Sequence, residues 1–409
     1  MMMLISFSAL FLSVILIQIG SGSLGPLDAL AGSGLGFTTS EIGLLGSAHF
    51  LGLLIGCLVN PYIIRRAGHA RAFAVMASLS AISALLHPLV PTLYAWCLMR
   101  ILTGFAIAGA YTVIESWLQA KLTNSTRGRV FSFYRVSDML GTLLAQGLIA
   151  VLDPASYVAY NIVTIICCLS LLPLALTKSV PPLLPERMPF RPHFAWQLSP
   201  LASIGVITAG LTNSSFRMVG PVYALEMGLE ASRVALFLAM GVLGGVLVQY
   251  PAGMITDRFN RRSVLLAFSL ASCIICLLIG GADIQPGSTY IWLIYCSAFL
   301  FGAATFPIYS ICATHASDFA SPEQMVDLSA SIVFLYSIGA IISPIFAGLL
   351  IDQFGPWAMF SYIACIHAIL SGYSIWRMGI RPAIGTSRYR YVPRTTPFIH
   401  HILRSTKRN

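Results

Sequence analysis

Twelve apolar runs, each near the roughly 20 residues that a helix needs to cross a hydrocarbon core about 30 Å thick, dominate this 409-residue chain. They lie at 4–24, 42–62, 71–90, 93–117, 129–151, 157–177, 200–222, 233–256, 263–282, 289–313, 326–350 and 357–377. Lipid offers no partner to a backbone N–H or C=O, so runs of this length become helices. Turn chemistry marks the breaks, as at Gly25-Pro26, His87-Pro88, Gly220-Pro221 and Gly355-Pro356. Residues 25–41, Gly-rich and polar, read as an outer loop. The expected fold is an all-α membrane protein of 12 transmembrane helices.

Charge gives the orientation. Only 9% of the residues are charged, yet the net charge is +10. With the N-terminus inside, cytoplasmic segments hold Arg65, Arg66, Arg71, Lys121, Arg127, Arg129, Lys178, Arg187, Arg191, Arg258, Arg261, Arg262 and eight cations after residue 376, while the outer loops hold Arg233 alone. The positive-inside rule then places both termini in the cytoplasm. The same bias accounts for the basic balance without a nucleic-acid partner. The first run lacks a charged leader and a small-residue cleavage site, so it reads as a span and not a signal peptide. The nine cysteines all fall in spans and read as small core residues; Cys273-x-x-Cys276 has no second pair, and no metal is expected.

A Pro-rich stretch, 178–199, divides the spans six and six, and the halves repeat. Gly52-x3-Gly56-x3-Asn60 followed by Arg65 and Arg66 recurs 197 residues later as Gln249-x3-Gly253-x3-Asp257 followed by Arg258, Arg261 and Arg262. Residues four apart share a helix face. Gly56 and Gly253 are expected to admit a neighbouring helix, with the polar residue one turn on meeting the inner loop. The expected units are a bundle at 1–177, the loop 178–199, a second bundle at 200–377 and a basic tail at 378–409.

The second copy resembles the Gly-x3-Asp-Arg-x-Gly-Arg loop signature of the major facilitator superfamily, with Asn260 in place of the usual Gly and, in the first copy, Asn60 in place of Asp. Arg100-x3-Gly104 is similar to a second signature in the fourth helix. Val113, Glu115 and Ser116, Arg127-Gly128-Arg129, Tyr250-Pro251-x-Gly253 and Gly339-x4-Pro344 resemble the YcaD-like branch. The resemblance implies two pseudo-symmetric six-helix bundles that rock about a central substrate site, with the first and fourth spans of each half lining the cavity. It also implies that Gly56, Asn60, Arg65, Arg66, Gly253, Asp257, Arg258 and Arg261 form an inner gate. It names no cargo.

Ionisable groups inside spans are costly and point to function. Arg100 and Arg217 lie about 10 Å and about 8 Å below the outer surface by helical rise. With Gln18 and Asn213 they are the substrate candidates, and two unpaired guanidiniums would favour an anionic solute. If Asp28 or Glu226 neutralises them, that preference disappears. Glu115, about 22 Å from Arg100 along the helix axis, joins Arg129, Arg135 and Asp138 in an inner layer suited to a gate or to proton carriage. Arg135 and Asp138 can pair at i,i+3. His49 shares a face with Gly52 and Gly56, and His315 and His367 read as interfacial. Gln249 and Asp327 are further polar candidates.

No Walker loop, nucleophile elbow or His-Glu-x-x-His is present in the sequence. The expectation is a non-enzymatic secondary-active transporter of a small organic solute, proton-coupled, in a bacterial cytoplasmic (inner) membrane. Its partners are a small-molecule substrate and membrane lipid, it needs no cofactor, and it is a monomer. A non-transporting sensor of the same fold and a lipid or lysolipid transporter are the alternatives.

Overall fold

The structure, a computed structural model, describes residues 2–121, 127–176, 191–281, 291–321 and 324–380. Its helices in order are α1 (Met2–Gly34), α2 (Thr39–Ala67), α3 (His69–Leu86), α4 (Leu93–Lys121), α5 (Arg127–Val151), α6 (Tyr157–Leu169), α7 (Leu171–Ala175), α8 (Phe194–Leu198), α9 (Pro200–Met218), α10 (Gly220–Glu226), α11 (Ala231–Arg258), α12 (Arg261–Gly281), α13 (Ile291–Thr305), α14 (Pro307–Ser317), α15 (Met325–Phe354) and α16 (Trp357–Ile380). Three passes are broken once, at Ser170, Val219 and Phe306. Each break is followed within three residues by a proline, which supplies no N–H to the ladder.

Ten passes are long and apolar enough to cross a membrane by length and composition. The other two expected spans are α5 and the α9–α10 pair. They fall short for a physical reason: α5 carries Arg135 and Asp138, and α9 carries Asn213 and Arg217, all on a cavity wall instead of against lipid.

The pairing of helices repeats between halves. In the first, α2 packs on α4, α1 on α5 and α3 on α6; in the second, α11 packs on α13, α9 on α15 and α12 on α16. This is the expected pseudo-symmetric all-α arrangement. The loop expected at 178–199 is described only from 191, where Arg191 pairs with Asp327 at 3.6 Å and Ser331 holds both the Pro192 carbonyl and the Ala195 N–H. Asp327 thus anchors the connector, away from any cavity. The tail beyond 380 lies outside the described residues.

The first span is longer than expected. Residues 25–34 continue α1 where an outer loop was anticipated. Its small residues serve packing: Gly20 faces Cys167, Gly22 faces Ala145 and Gly25 faces Met218. Asp28 stays helical because it is fully buried among partners described below.

The halves meet most closely at the end where α2 begins and α15 finishes. Gly43 lies against the Pro344 carbonyl and Gly348 against the Thr39 carbonyl, positions where a Cβ would strike backbone. Asp352 of α15 accepts hydrogen bonds from the Thr39 and Ser40 N–H groups, both at 2.9 Å. One half thereby caps a helix N-terminus of the other, where a carboxylate is favourable. Met218 wedges against Gly25 and Gly46, and its sulfur accepts from Arg100 Nη2 at 3.7 Å. Among the described residues, every polar bond between the halves is in this set. A Ser40→Cys, Asp352→Cys pair should therefore form an intramolecular disulfide under mild oxidation, detectable by peptide mass spectrometry; absence of the cross-link would mean that this end is open at rest.

Candidate functional site

Between the halves lies a cavity of two lobes, about 340 Å³ and about 330 Å³. Arg135, Asp138, Arg217, Val242 and Phe306 line both, so the lobes join there. Each lobe is within the range of small-molecule sites. The Phe306 break between α13 and α14 sets its ring into this junction.

The first half supplies a hydrogen-bonded wall. Gln18 Nε2 donates to Thr142 at 2.9 Å, and the Tyr111 hydroxyl lies 2.5 Å from Gln18 Oε1 and 2.7 Å from Asp138 Oδ1. One hydroxyl carries one proton and cannot donate to both oxygens. The wall is satisfied either with a proton on Asp138 or with the Gln18 amide reversed. Arg135 Nη1 reaches Asp138 Oδ2 only at 3.5 Å, from a side chain that is 62% exposed. A pair this loose and wet contributes at most about 1 kcal/mol. Glu115 accepts from Tyr134 at 2.8 Å farther along the same wall. The Arg129 side chain lies outside the described residues.

Arg100 departs from expectation. It lines the first lobe but is buried, with Nη1 3.6 Å from Asp28 Oδ2. Asp28 Oδ1 accepts from the Tyr160 hydroxyl at 3.1 Å, and His87 Nε2 stands 3.4 Å from Oδ2. The His87 ring stacks on Tyr160, with centroids 5.6 Å apart, and Nδ1 is 2.7 Å from the Ser83 carbonyl. A carbonyl only accepts, so Nδ1 bears a hydrogen. That leaves Nε2 facing the Asp28 carboxylate, so Asp28, His87, Arg100 and Tyr160 form one buried cluster. Asp28 Oδ2, His87 Nε2 and Arg100 Nε and Nη1 are buried without hydrogen-bond geometry in this arrangement.

Arg217 is different. It is exposed to the cavity and, among the described residues, has no hydrogen bond or ion pair; Glu226 does not reach it. Asn213, one turn earlier, lines the second lobe with Gln249, Tyr309 and Tyr336. Gln249 Nε2 donates to Ser310 at 2.7 Å. His49 lines the first lobe, 3.4 Å from the Thr103 hydroxyl. His367 is not interfacial: it is fully buried on α16 beside the Thr212 hydroxyl at 3.1 Å. His315 is buried as well.

The loop signature does not join the halves in this state. Asn60 is buried inside the first half, donating to the Phe105 carbonyl at 2.8 Å, and Gly56 packs against Phe105 and Ala108 of the same helix. Gly253, by contrast, faces open space and admits no helix. Arg261 binds the Thr314 carbonyl and Asp318 of its own half, at 2.6 Å and 2.5 Å. Asp257 and Arg258 are exposed. Arg65 and Arg66 occupy the last turn of α2, where cations suit the helix dipole. Among the described residues, no cluster of three or more His, Cys, Asp or Glu is placed to hold a metal, and the nine cysteines are free; Cys168, Cys296 and Cys365 are exposed and not core.

Asp28 is the carboxylate that the sequence offered as a counter-charge, and His87 and Tyr160 are the members of its cluster that the sequence concealed. Their signal was a lone acid one turn beyond a Gly- and Ser-rich stretch, inside helical reach of α1.

The Major Facilitator Superfamily model matches residues 10–325 and 202–399. An uncharacterized MFS-type transporter of Enterobacter sp. (strain 638) is 26% identical over 340 residues, covering 81% of this chain and 85% of its own. The MFS-type transporter YcaD of Salmonella enteritidis is 25% identical over 335 residues with the same coverage. Among solved structures, the nucleoside transporter NupG superposes with a TM-score of 0.71 at 16% identity, covering 91% of this chain and 98% of that one. A bacterial homologue of the human lysosomal transporter Spinster, inward-facing and occupied, gives 0.70 at 14% identity, covering 91% and 93%. The D-xylose-proton symporter gives 0.68 at 15% identity, covering 91% and 97%.

Removing one partner of a buried ion pair strands the other. Asp28→Ala should lower unfolding stability by about 3–5 kcal/mol, and adding Arg100→Met should recover much of that loss. Thermal unfolding of the three purified variants checks this; a double variant no better than Asp28→Ala would show that the two residues do not act as a pair.

Proposed function

The chain belongs to the Major Facilitator Superfamily, and we propose that it is a secondary-active, proton-coupled transporter of a small organic solute carrying an acidic group. Membership makes it a multi-pass membrane transporter of small molecules and not an enzyme. The finer reading rests on one observation: Arg217 stands unpaired on the wall of both lobes, while Arg100, the other candidate cation, is neutralised by Asp28. A cation in a partly dry cavity without a counter-charge is costly and is relieved by an anionic group of the solute.

Proton coupling is supported by the His87–Asp28 pair. Arg100 touches both this pair and the first lobe. With its proton the cluster carries one positive charge more than without it, so the proton and a solute carboxylate favour each other's binding, and the coupling is reciprocal. With both termini in the cytoplasm, as the cation bias supports, the end closed by α2 and α15 faces outward and the cavity belongs to an inward-facing state in an inner membrane.

A ligand that binds only the folded protein raises its melting temperature. A library of organic acids screened on purified protein should yield stabilising compounds, and Arg217→Gln should abolish their effect while leaving the unliganded melting temperature near wild type. Stabilisation by neutral or cationic compounds only, or an undiminished effect in Arg217→Gln, would sink the acidic-solute reading. In proteoliposomes loaded with an identified solute, His87→Gln should lose accumulation driven by a pH gradient but keep downhill exchange; equal loss of both would make His87 structural.

A further inference from the structure

Opposite charges from opposite halves face each other across the lobe junction. Arg217 comes from α9 and is unpaired. Asp138 comes from α5, and its two oxygens are not equivalent. Oδ1 is fixed by the Tyr111 hydroxyl at 2.7 Å, whereas Oδ2 has only the loose Arg135 contact at 3.5 Å. The Asp138 side chain is 20% exposed and lines both lobes. No direct ion pair joins Asp138 to Arg217 among the described residues. Beyond the junction the second lobe is walled by Phe306, Tyr309 and Tyr336, the last two in edge-to-face contact with centroids 5.4 Å apart.

We infer that the solute is a zwitterionic amino acid with an aromatic side chain, its carboxylate on Arg217, its ammonium on Asp138 Oδ2 and its ring in the second lobe. This rests on the acidic-solute reading above and adds a second anchor to it. The charge pattern selects against the neighbouring classes. A simple carboxylate leaves Asp138 repelled or unserved, and a simple amine is repelled by Arg217. A dianion meets one carboxylate with another. A zwitterion also bridges the halves, because its two charged ends bind α5 and α9, helices that separate when the bundles rock. It therefore gives the occupied cavity a reason to close that a one-ended ligand lacks. The ammonium displaces Arg135 from a contact worth little, and Arg135 remains exposed to water.

The test uses three compounds of matched shape on the purified full-length protein, by thermal stabilisation and equilibrium binding: L-phenylalanine, 3-phenylpropionate, which lacks the amine, and 2-phenylethylamine, which lacks the carboxylate. L-phenylalanine should bind ~10–100-fold more tightly than either, the range for a hydrogen bond to a charged group. Asp138→Asn should erase its advantage over 3-phenylpropionate, and Arg217→Gln its advantage over 2-phenylethylamine. Arg217 has no protein partner to lose, so its variant keeps the test decisive if Asp138→Asn unfolds. Equal binding of L-phenylalanine and 3-phenylpropionate overturns the zwitterion and leaves the acidic solute standing. Stabilisation by none of the three overturns the aromatic zwitterion and leaves the acidic solute to the organic-acid screen, and equal binding of 2-phenylethylamine and L-phenylalanine overturns both.

Discussion

A carboxylate with no water around it must be answered by the protein, and Asp28 is answered by three helices at once. Arg100 comes from α4, His87 from the end of α3 and Tyr160 from α6. Desolvating these groups costs several kcal/mol per ion, and mutual attraction offsets that only when all partners stay in place. The upper part of the first half is thus pinned around one residue. The same demand explains why α1 runs ten residues past its expected end, and why the Trp96 indole is turned to bond the His87 carbonyl at 2.9 Å.

Pinning Arg100 decides what the cavity offers. The first half presents a wall whose charges are largely matched, and the second presents Arg217 without an ion pair among the described residues, at the junction it shares with Asp138. Besides the packing of α5 on α11, the halves touch through backbone-to-backbone glycine contacts between α2 and α15 and one carboxylate on a helix terminus. Such contacts fit closely but bury no charge pair between the bundles. The polar part of separating them is rehydrating Asp352 and two N–H groups, a modest cost next to that of breaking the Asp28 cluster.

The all-helical fold of paired, pseudo-symmetric halves was legible because hydropathy and a repeated spacing report directly on how a chain packs in a membrane. Arg217, Gln18 and Asn213 were legible as cavity candidates because helical position fixes depth and the polar group marks the face, whereas Glu115 and Asp138, read as an inner gate, line the same cavity. Asp28 was legible as a possible counter-charge but not as a buried helical residue: its neighbours Gly20, Ser21, Gly22, Ser23 and Gly25 carry the composition of a loop, and only the arrival of α5, α6 and α9 turns that composition into packing. His87 read as a turn residue before Pro88, since nothing local ties it to α1. The repeated Gly56 and Gly253 misled for a related reason. Equal spacing places two residues at equivalent points of the repeat, yet each environment is set by the helix that happens to lie there, α4 for Gly56 and open space for Gly253.

Linkage between the buried proton and the occupied cavity is the claim on which the functional reading turns. It is measured most directly by calorimetry of L-phenylalanine binding in two buffers of different ionisation enthalpy, over a series of pH values. Arg100 lies between the His87–Asp28 pair and the cavity, so binding should draw in a fraction of a proton per chain, seen as a difference in heat between the buffers that vanishes in His87→Gln. Equal heats in both buffers for the wild-type protein, with binding intact, would contradict it.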